Sequence, residues 1–316
     1  MTFATQDARH APSPMRLGWR GWMSAGRRVI DTFGREKLSL IAAGCAFYSL
    51  LALAPALAAL GALYGLFADP ADIARHLEAL DEVAPPAAYG LIADQAESLR
   101  SAGRTALGWA SLGAVALAVF SARTGVRALM TGVALAYRQP ESRGFFRDMA
   151  ATYLLTLVLM LLGVVALGAV VVAPALFGLL PLGATVETIG GLARWPIGLA
   201  AAAFGLGALY RYAPPRRNAR PLWVAPGAVA GIVVWLIGSV LFSIYLARFG
   251  NYNETYGALG AVAALLMWFW VSANAALLGA TLNAELELET QADTTVGPPR
   301  PRGDRGAFVA DNLPDG

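Results

Sequence analysis

Six long apolar runs dominate the pattern of this chain, at about 40–67, 105–122, 151–173, 195–212, 222–249 and 256–284. Crossing roughly 30 Å of hydrocarbon takes about 20 mostly apolar residues in a helix, which satisfies its own backbone where no water is present. The pattern therefore predicts an all-α integral membrane protein with six transmembrane helices. The first, fifth and sixth runs exceed the minimum length, which permits tilt. Pro55 falls inside the first and predicts a kink there. The sixth holds no proline and reads as the straightest.

The polar stretches divide the chain into a basic tail (1–39), one membrane domain (40–285) and a second tail (286–316). In the first, Trp19, Trp22, Met23, Ile30 and Phe33 recur near one helical face, while Arg16, Arg20, Arg27, Arg28 and Arg35 fall largely elsewhere. Such an arrangement predicts a helix lying in the membrane interface; the plainer reading is a flexible basic tail. Between the first two runs, Ile73, Leu77 and Leu80 keep helical spacing, Pro85-Pro86 interrupts it, and a second helical stretch follows to Leu99. This predicts an extracytoplasmic helical hairpin. Seven acids against Arg75, Arg100 and Arg104 give that loop a charge of −4. It is either an acidic cap that attracts cations or a solvated loop obeying the charge asymmetry. After Glu285 the chain turns acidic and then rich in Pro, Gly and Asp, which predicts a disordered tail.

Composition narrows the class further. Of 316 residues, 57% are hydrophobic and 14% charged, where a soluble domain carries about a quarter charged. A water-soluble enzyme is thereby disfavoured. The net charge of +3 points to nucleic acid only until its distribution is read. Nineteen of the 24 basic residues flank the runs on the side of the two termini, and five lie on the other. Both termini are therefore expected in the cytoplasm, and no nucleic-acid partner is needed. The first apolar run greatly exceeds a signal-peptide core and reads as an uncleaved anchor.

Candidate chemistry is sparse. Arg123 and Arg127 lie four apart, hence on one helical face near the end of the second run. They either line a pocket for phosphate or another anion, or mark a span's end and snorkel to the interface. Asn251, Tyr252, Asn253, Glu254, Thr255 and Tyr256 form the most polar turn between long spans. A carboxylate among tyrosines and asparagines there binds a cation or a hydroxylated headgroup, or the same residues simply make a tight turn. Asn283 and Glu285 are polar positions at the end of the sixth run, and Gly227 and Gly231 form a small-residue seam. One cysteine (Cys45) and two histidines (His10, His76) leave no material for a zinc site. No Walker A sequence, H-E-x-x-H or G-x-S-x-G occurs, so no catalytic residue, metal or cofactor is assigned.

Four stretches carry a family likeness: AAGCAFYSLLALAPAL at 42–57, ALAYRQPESRGFFRD at 134–148, YRYAPPRRNARPLWVAPG at 210–227, and 245–285. In the last, Tyr256-Gly257, Trp268, Gly279-Ala280 and Asn283-Ala284-Glu285 fall in order. Over about 16–288 the chain resembles the YihY/BrkB family of bacterial inner-membrane proteins. It departs at Thr281, where an acidic residue is expected, and at Ala52, where serine is common. The resemblance implies a six-helix protein of the cytoplasmic membrane without established catalytic residues. Members have carried the label ribonuclease BN, but hydrolysis of that kind needs clustered His and Asp, which two histidines do not supply.

These readings converge on a non-enzymatic membrane protein, a transporter or exporter of a lipid or amphiphilic anion, with membrane lipids as its partners. The alternative is a non-transporting scaffold that recruits envelope partners. Arg123, Arg127, Asn251, Tyr252, Glu254, Tyr256 and Asn283 are the candidate substrate-binding residues.

Overall fold

The computed structural model describes residues 11–67, 104–140, 143–168, 184–248 and 252–314. A 3-10 turn at Pro14–Arg16 leads into α1 (Gly18–Arg35). Six long helices follow: α2 (Leu38–Phe67), α3 (Arg104–Ala136), α4 (Phe145–Leu167), α5 (Ala184–Tyr212), α6 (Pro221–Arg248) and α7 (Tyr252–Leu288). A single turn, α8 (Phe308–Asp311), closes the order, and no strand occurs among the described residues. All six long helices carry stretches apolar enough to cross a membrane. Within those stretches only 6% to 22% of residues are buried by protein, so the apolar majority needs lipid around it. Leu117, Phe120, Phe204, Val229 and Leu241 are among the large side chains left open this way.

Helix ends differ from the apolar runs, each for a local reason. The second run was expected to stop at residue 122, but α3 continues to Ala136 and carries Arg123 and Arg127 inside it. The continuation is driven by packing, because Met130, Val133 and Ala136 beyond the arginines are buried in the core. Helix α2 runs through Pro55 without a break, and α5 starts well before residue 195, running through Pro196. The hairpin expected over 68–104 lies outside the described residues, Arg104 excepted.

Residues 1–47 and 125–316 form one compact unit and 48–124 another. The smaller unit joins the later part of α2 to the earlier part of α3, with Ala59, Ser111 and Ala118 buried and Leu51, Leu57, Trp109 and Leu112 open. In the larger unit a core threads Leu38 and Cys45 of α2, Val133 and Tyr137, Leu209 and Tyr210 of α5, Val224 of α6, and Leu277 and Ala284 of α7. Helices α6 and α7 approach so closely that a Cβ on Gly227 would collide with the Gly279 carbonyl, and one on Gly279 with that of Gly227. The small-residue seam read from Gly227 and Gly231 is thus a helix crossing.

In place of the disordered tail expected over 286–316, α7 continues to Leu288 and the following residues fold back onto the bundle. Thr295 pairs with Ala219 in an antiparallel bridge, and Val309 and Ala310 are fully buried. The Arg305 guanidinium donates to the carbonyls of Gln291, Ala292, Arg300 and Ala310. The Asp311 carboxylate accepts from the backbone N–H groups of Gly303, Arg305, Gly306 and Ala307. Gly303 and Gly306 take φ of +98° and +69°, so the glycine-rich composition builds turns here rather than disorder.

Candidate functional site

Two adjoining features of the larger unit are suited to a ligand. The first is an apolar groove of about 500 Å³ between α3, α4, α5, α6 and α7. Leu129, Leu159, Trp195, Leu206, Trp235 and Ala276 contribute to its walls. Small residues in its lining leave room for it, among them Gly163 on α4 and Gly198 and Ala202 on α5. A Cβ added to Gly163 meets nothing within 4 Å. Two of the polar groups in the lining are engaged with protein. Trp235 Nε1 donates to Ser272 Oγ at 3.0 Å, and that hydroxyl donates to the Trp268 carbonyl at 2.8 Å. The groove therefore presents hydrocarbon.

The second feature is a cavity of about 150 Å³ lined by Arg127, Thr131, Gln139, Arg143 and Asp148, with Met130, Ala213 and Pro215. Asp148 lies in the first turn of α4, where the helix dipole favours a carboxylate, and Arg127 Nη2 stands 3.1 Å from it. Arg143 donates to the carbonyls of Tyr212 and Pro214 at 2.7 and 2.9 Å, fixing the approach to α4 against the exit of α5. Arg127 and Arg143 bring two guanidinium groups to the lining, and the one carboxylate, Asp148, pairs with Arg127. It shares three helices with the groove: Leu129 neighbours Met130, Leu209 is one turn from Ala213, and Leu159 lies about 16 Å along α4 from Asp148. That spacing matches a polar head and a hydrocarbon chain.

At the same end, the last turns of α7 carry a network that holds the site in place. Glu285, fully buried, receives Arg28 Nε, Arg138 Nη2 and the Thr32 hydroxyl, each at 2.8 Å. Arg28 also reaches Glu289 at 2.8 Å. Burial works against the charge of Arg28, but the hydrogen bonds to Glu285 and Glu289 outweigh it and raise its pKa. Arg138 occupies the left-handed region at φ +49°, closing α3 with bonds from its own N–H to Leu135 and from Gln139 to Ala134. An arginine in that conformation costs about 1 kcal/mol against glycine, and its side chain pairs with Glu285 from there. Glu287 binds Arg216 through both oxygens at 2.8 and 2.9 Å, with neither side chain exposed, and accepts the Thr294 hydroxyl. The guanidinium lies 4.2 Å over the Tyr137 ring. Burial opposes its charge, Glu287 prevails, and the pKa of Arg216 is raised; burial also pushes up that of Tyr137.

Among the residues singled out from sequence, Arg127 lines the polar cavity. Arg123, one turn earlier on α3, falls in the smaller unit and is not part of the lining. Asn283 is buried at the α6–α7 crossing, where its carboxamide accepts from Gly227 N at 2.7 Å and donates to the Val224 carbonyl at 3.0 Å. Its place is a helix–helix pin. Tyr252, Glu254 and Tyr256 belong to the opening turns of α7 rather than to a loop; their side chains, and Asn251 altogether, lie outside the described residues. Thr281, the departure from the family pattern, is buried and bonds the Leu277 carbonyl. Arg138, Arg143, Asp148, Arg216 and Glu287 escaped the reading of the sequence. The first four fall within the stretches 134–148 and 210–227 that carry the family likeness, and Glu287 within an alternation of Glu and Leu over 285–289 that looked like the start of a polar tail. No group of three or more His, Cys, Asp or Glu that would hold a metal occurs among the described residues.

Comparison with known proteins places this architecture. Residues 29–304 match the family described as Virulence factor BrkB. A ribonuclease-like protein, YfkH, of Bacillus subtilis (strain 168) is 30% identical over 217 residues, covering 66% of this chain and 76% of the relative. A UPF0761 membrane protein of Aromatoleum aromaticum is 29% identical over 271 residues, 82% of this chain and 63% of the relative. The chain thus spans under two thirds of that second protein. No solved structure matches. With most of its length matched and six helices apolar enough to cross a bilayer, the chain belongs to the BrkB family and is a multi-pass protein of the bacterial inner membrane.

Proposed function

We propose that this protein transports or exports a lipid or an amphiphilic anion without chemical conversion of it. The observation that carries the reading is the groove of about 500 Å³, predominantly apolar and set among five helices. A soluble ion or sugar gains nothing from such walls, whereas an acyl chain is matched to them. The cavity lined by Arg127 and Arg143 supplies guanidinium donors for a phosphate or carboxylate head. The excess of arginine at this end assigns it to the cytoplasmic side, so loading is from the inner leaflet.

The reading is tested in vesicles with purified protein and fluorescent phosphatidylglycerol or phosphatidylcholine, following movement between leaflets by quenching. The expected result is protein-dependent movement of the anionic probe, blocked in Gly163→Phe, whose ring fills the groove. Arg127→Ala is expected to slow phosphatidylglycerol roughly tenfold, the value of one charge-assisted hydrogen bond, and to leave phosphatidylcholine unchanged. Movement no faster than in protein-free vesicles for either probe overturns the reading and favours a scaffold that recruits partners.

A further inference from the structure

Helix α1 has two faces with different occupants, and only one of them is protein. Trp22 and Ala25 pack with Leu17, Trp223 and Leu286, while Arg28 and Thr32 reach Glu285. These positions span one side of the helix and are used up by the end of α7. Trp19, Met23 and Ile30 fall within an arc of about 40° on another side. Trp19 and Ile30 are 75% and 74% exposed, and Met23 is exposed as well. Arg20 and Arg27, both exposed, run along one edge of that stripe, about 70° round the helix. Met15 and Arg16, in the turn before α1, extend the pairing of apolar and basic groups.

The surroundings repeat the theme. Phe145 and Phe146, edge to face at 5.4 Å, stand 72% and 77% exposed at the start of α4. Leu40 near the start of α2 and Leu222 at the start of α6 are open too. Exposed aromatic and aliphatic side chains at helix ends, next to an amphipathic helix edged with arginine, mark a lipid boundary rather than a water boundary. Arg16, Arg20, Arg27 and Arg35 are exposed on α1 and its leading turn, against one exposed acid, Asp31. The complementary surface is negative.

We propose that this face of α1 docks on anionic phospholipid, with Trp19, Met23 and Ile30 entering the acyl boundary and Arg20 and Arg27 meeting lipid phosphates. The surface is independent of the groove and of any transport. Its role is to hold the end of α7, through Arg28 and Glu285, at a fixed depth in a charged leaflet.

The full-length protein carries its own control, since the one cysteine, Cys45, is buried and a cysteine placed on α1 takes a spin label selectively. Labels at Ile30→Cys and Asp31→Cys are compared in phosphatidylcholine vesicles with and without phosphatidylglycerol. Position 30 is expected to be shielded from a water-soluble nickel chelate and open to oxygen, and position 31 to be open to the chelate. Equal access of the chelate to both positions overturns the proposal. Shielding accompanied by spin–spin broadening shows a second copy of the chain on the stripe, which also overturns it. Mass spectrometry of co-purified lipid then reads charge selectivity. Enrichment of phosphatidylglycerol over phosphatidylcholine is expected to fall roughly fivefold for each of Arg20→Gln and Arg27→Gln. Unchanged enrichment in the double variant contradicts the assignment of these arginines.

Discussion

Single residues at the end of α7 decide whether the ends of the other helices stay together. The Glu287 and Arg216 side chains are wholly buried; two guanidinium N–H groups bind both carboxylate oxygens and Thr294 takes a further lone pair, while Arg216 Nε has no hydrogen-bond partner. Removing one partner of such a pair strands a charge away from water, at a cost of about 3–5 kcal/mol. Glu287→Gln is therefore expected to lower the unfolding midpoint of the detergent-solubilised protein strongly. Arg216→Met combined with Glu287→Leu is expected to recover most of the loss, because no charge is left unpaired. A single variant as stable as the parent shows that water reaches the pair. These contacts were invisible in the sequence for a simple reason. Arg216 and Glu287 are 71 positions apart, Arg138 and Glu285 are 147 apart, and Arg28 and Glu285 are 257 apart. A glutamate in a polar stretch gives no sign of which distant arginine will reach it.

At the scale of elements, the six spans were legible because bilayer crossing imposes a length and a composition that few other structures share. Their ends were less so. Arg123 and Arg127 read either as the end of a span or as part of a pocket; α3 passes through them because Met130, Val133 and Ala136 have a core to join. The C-terminal segment was misread from composition: its glycines serve turns and its Arg305 and Asp311 serve backbone hydrogen bonds. That segment also carries a pH dependence. Burial raises the pKa of Asp293, but hydrogen bonds from Thr295 and the Arg300 N–H outweigh it, so the folded value lies below the ordinary carboxylate value. A lowered folded pKa stabilises the docked segment above the ordinary value, and the contribution is lost as pH falls through the lowered one. Amide exchange over 293–311, corrected for intrinsic rates, is expected to lose protection in that acidic window. Asp293→Asn is expected to show weaker protection already at neutral pH and a smaller acid step; an unchanged step assigns the dependence to other groups.

The larger unit combines a hydrocarbon groove, a polar cavity lined by two arginines, and a clamp of ion pairs that ties α1 and the chain after α5 to α7. The class of the protein followed from hydropathy and the arginine asymmetry. The groove did not, because it is made of what is missing: small residues such as Gly163 and Gly198 whose common neighbourhood only packing reveals. Of the residues proposed from sequence whose side chains are described, Arg127 lines the polar cavity and Asn283 lies in a helix crossing. The central claim is that the groove holds a lipid or lipid-like chain. The most direct measurement is quantitative mass spectrometry of lipid retained by the gently purified protein, wild type beside Gly163→Phe, each against its bulk membrane. The account predicts selective retention of an anionic species by the wild type and a lower amount in the variant, down to what the α1 surface still holds, at unchanged thermal stability. Retention that mirrors the bulk membrane in both proteins would contradict it.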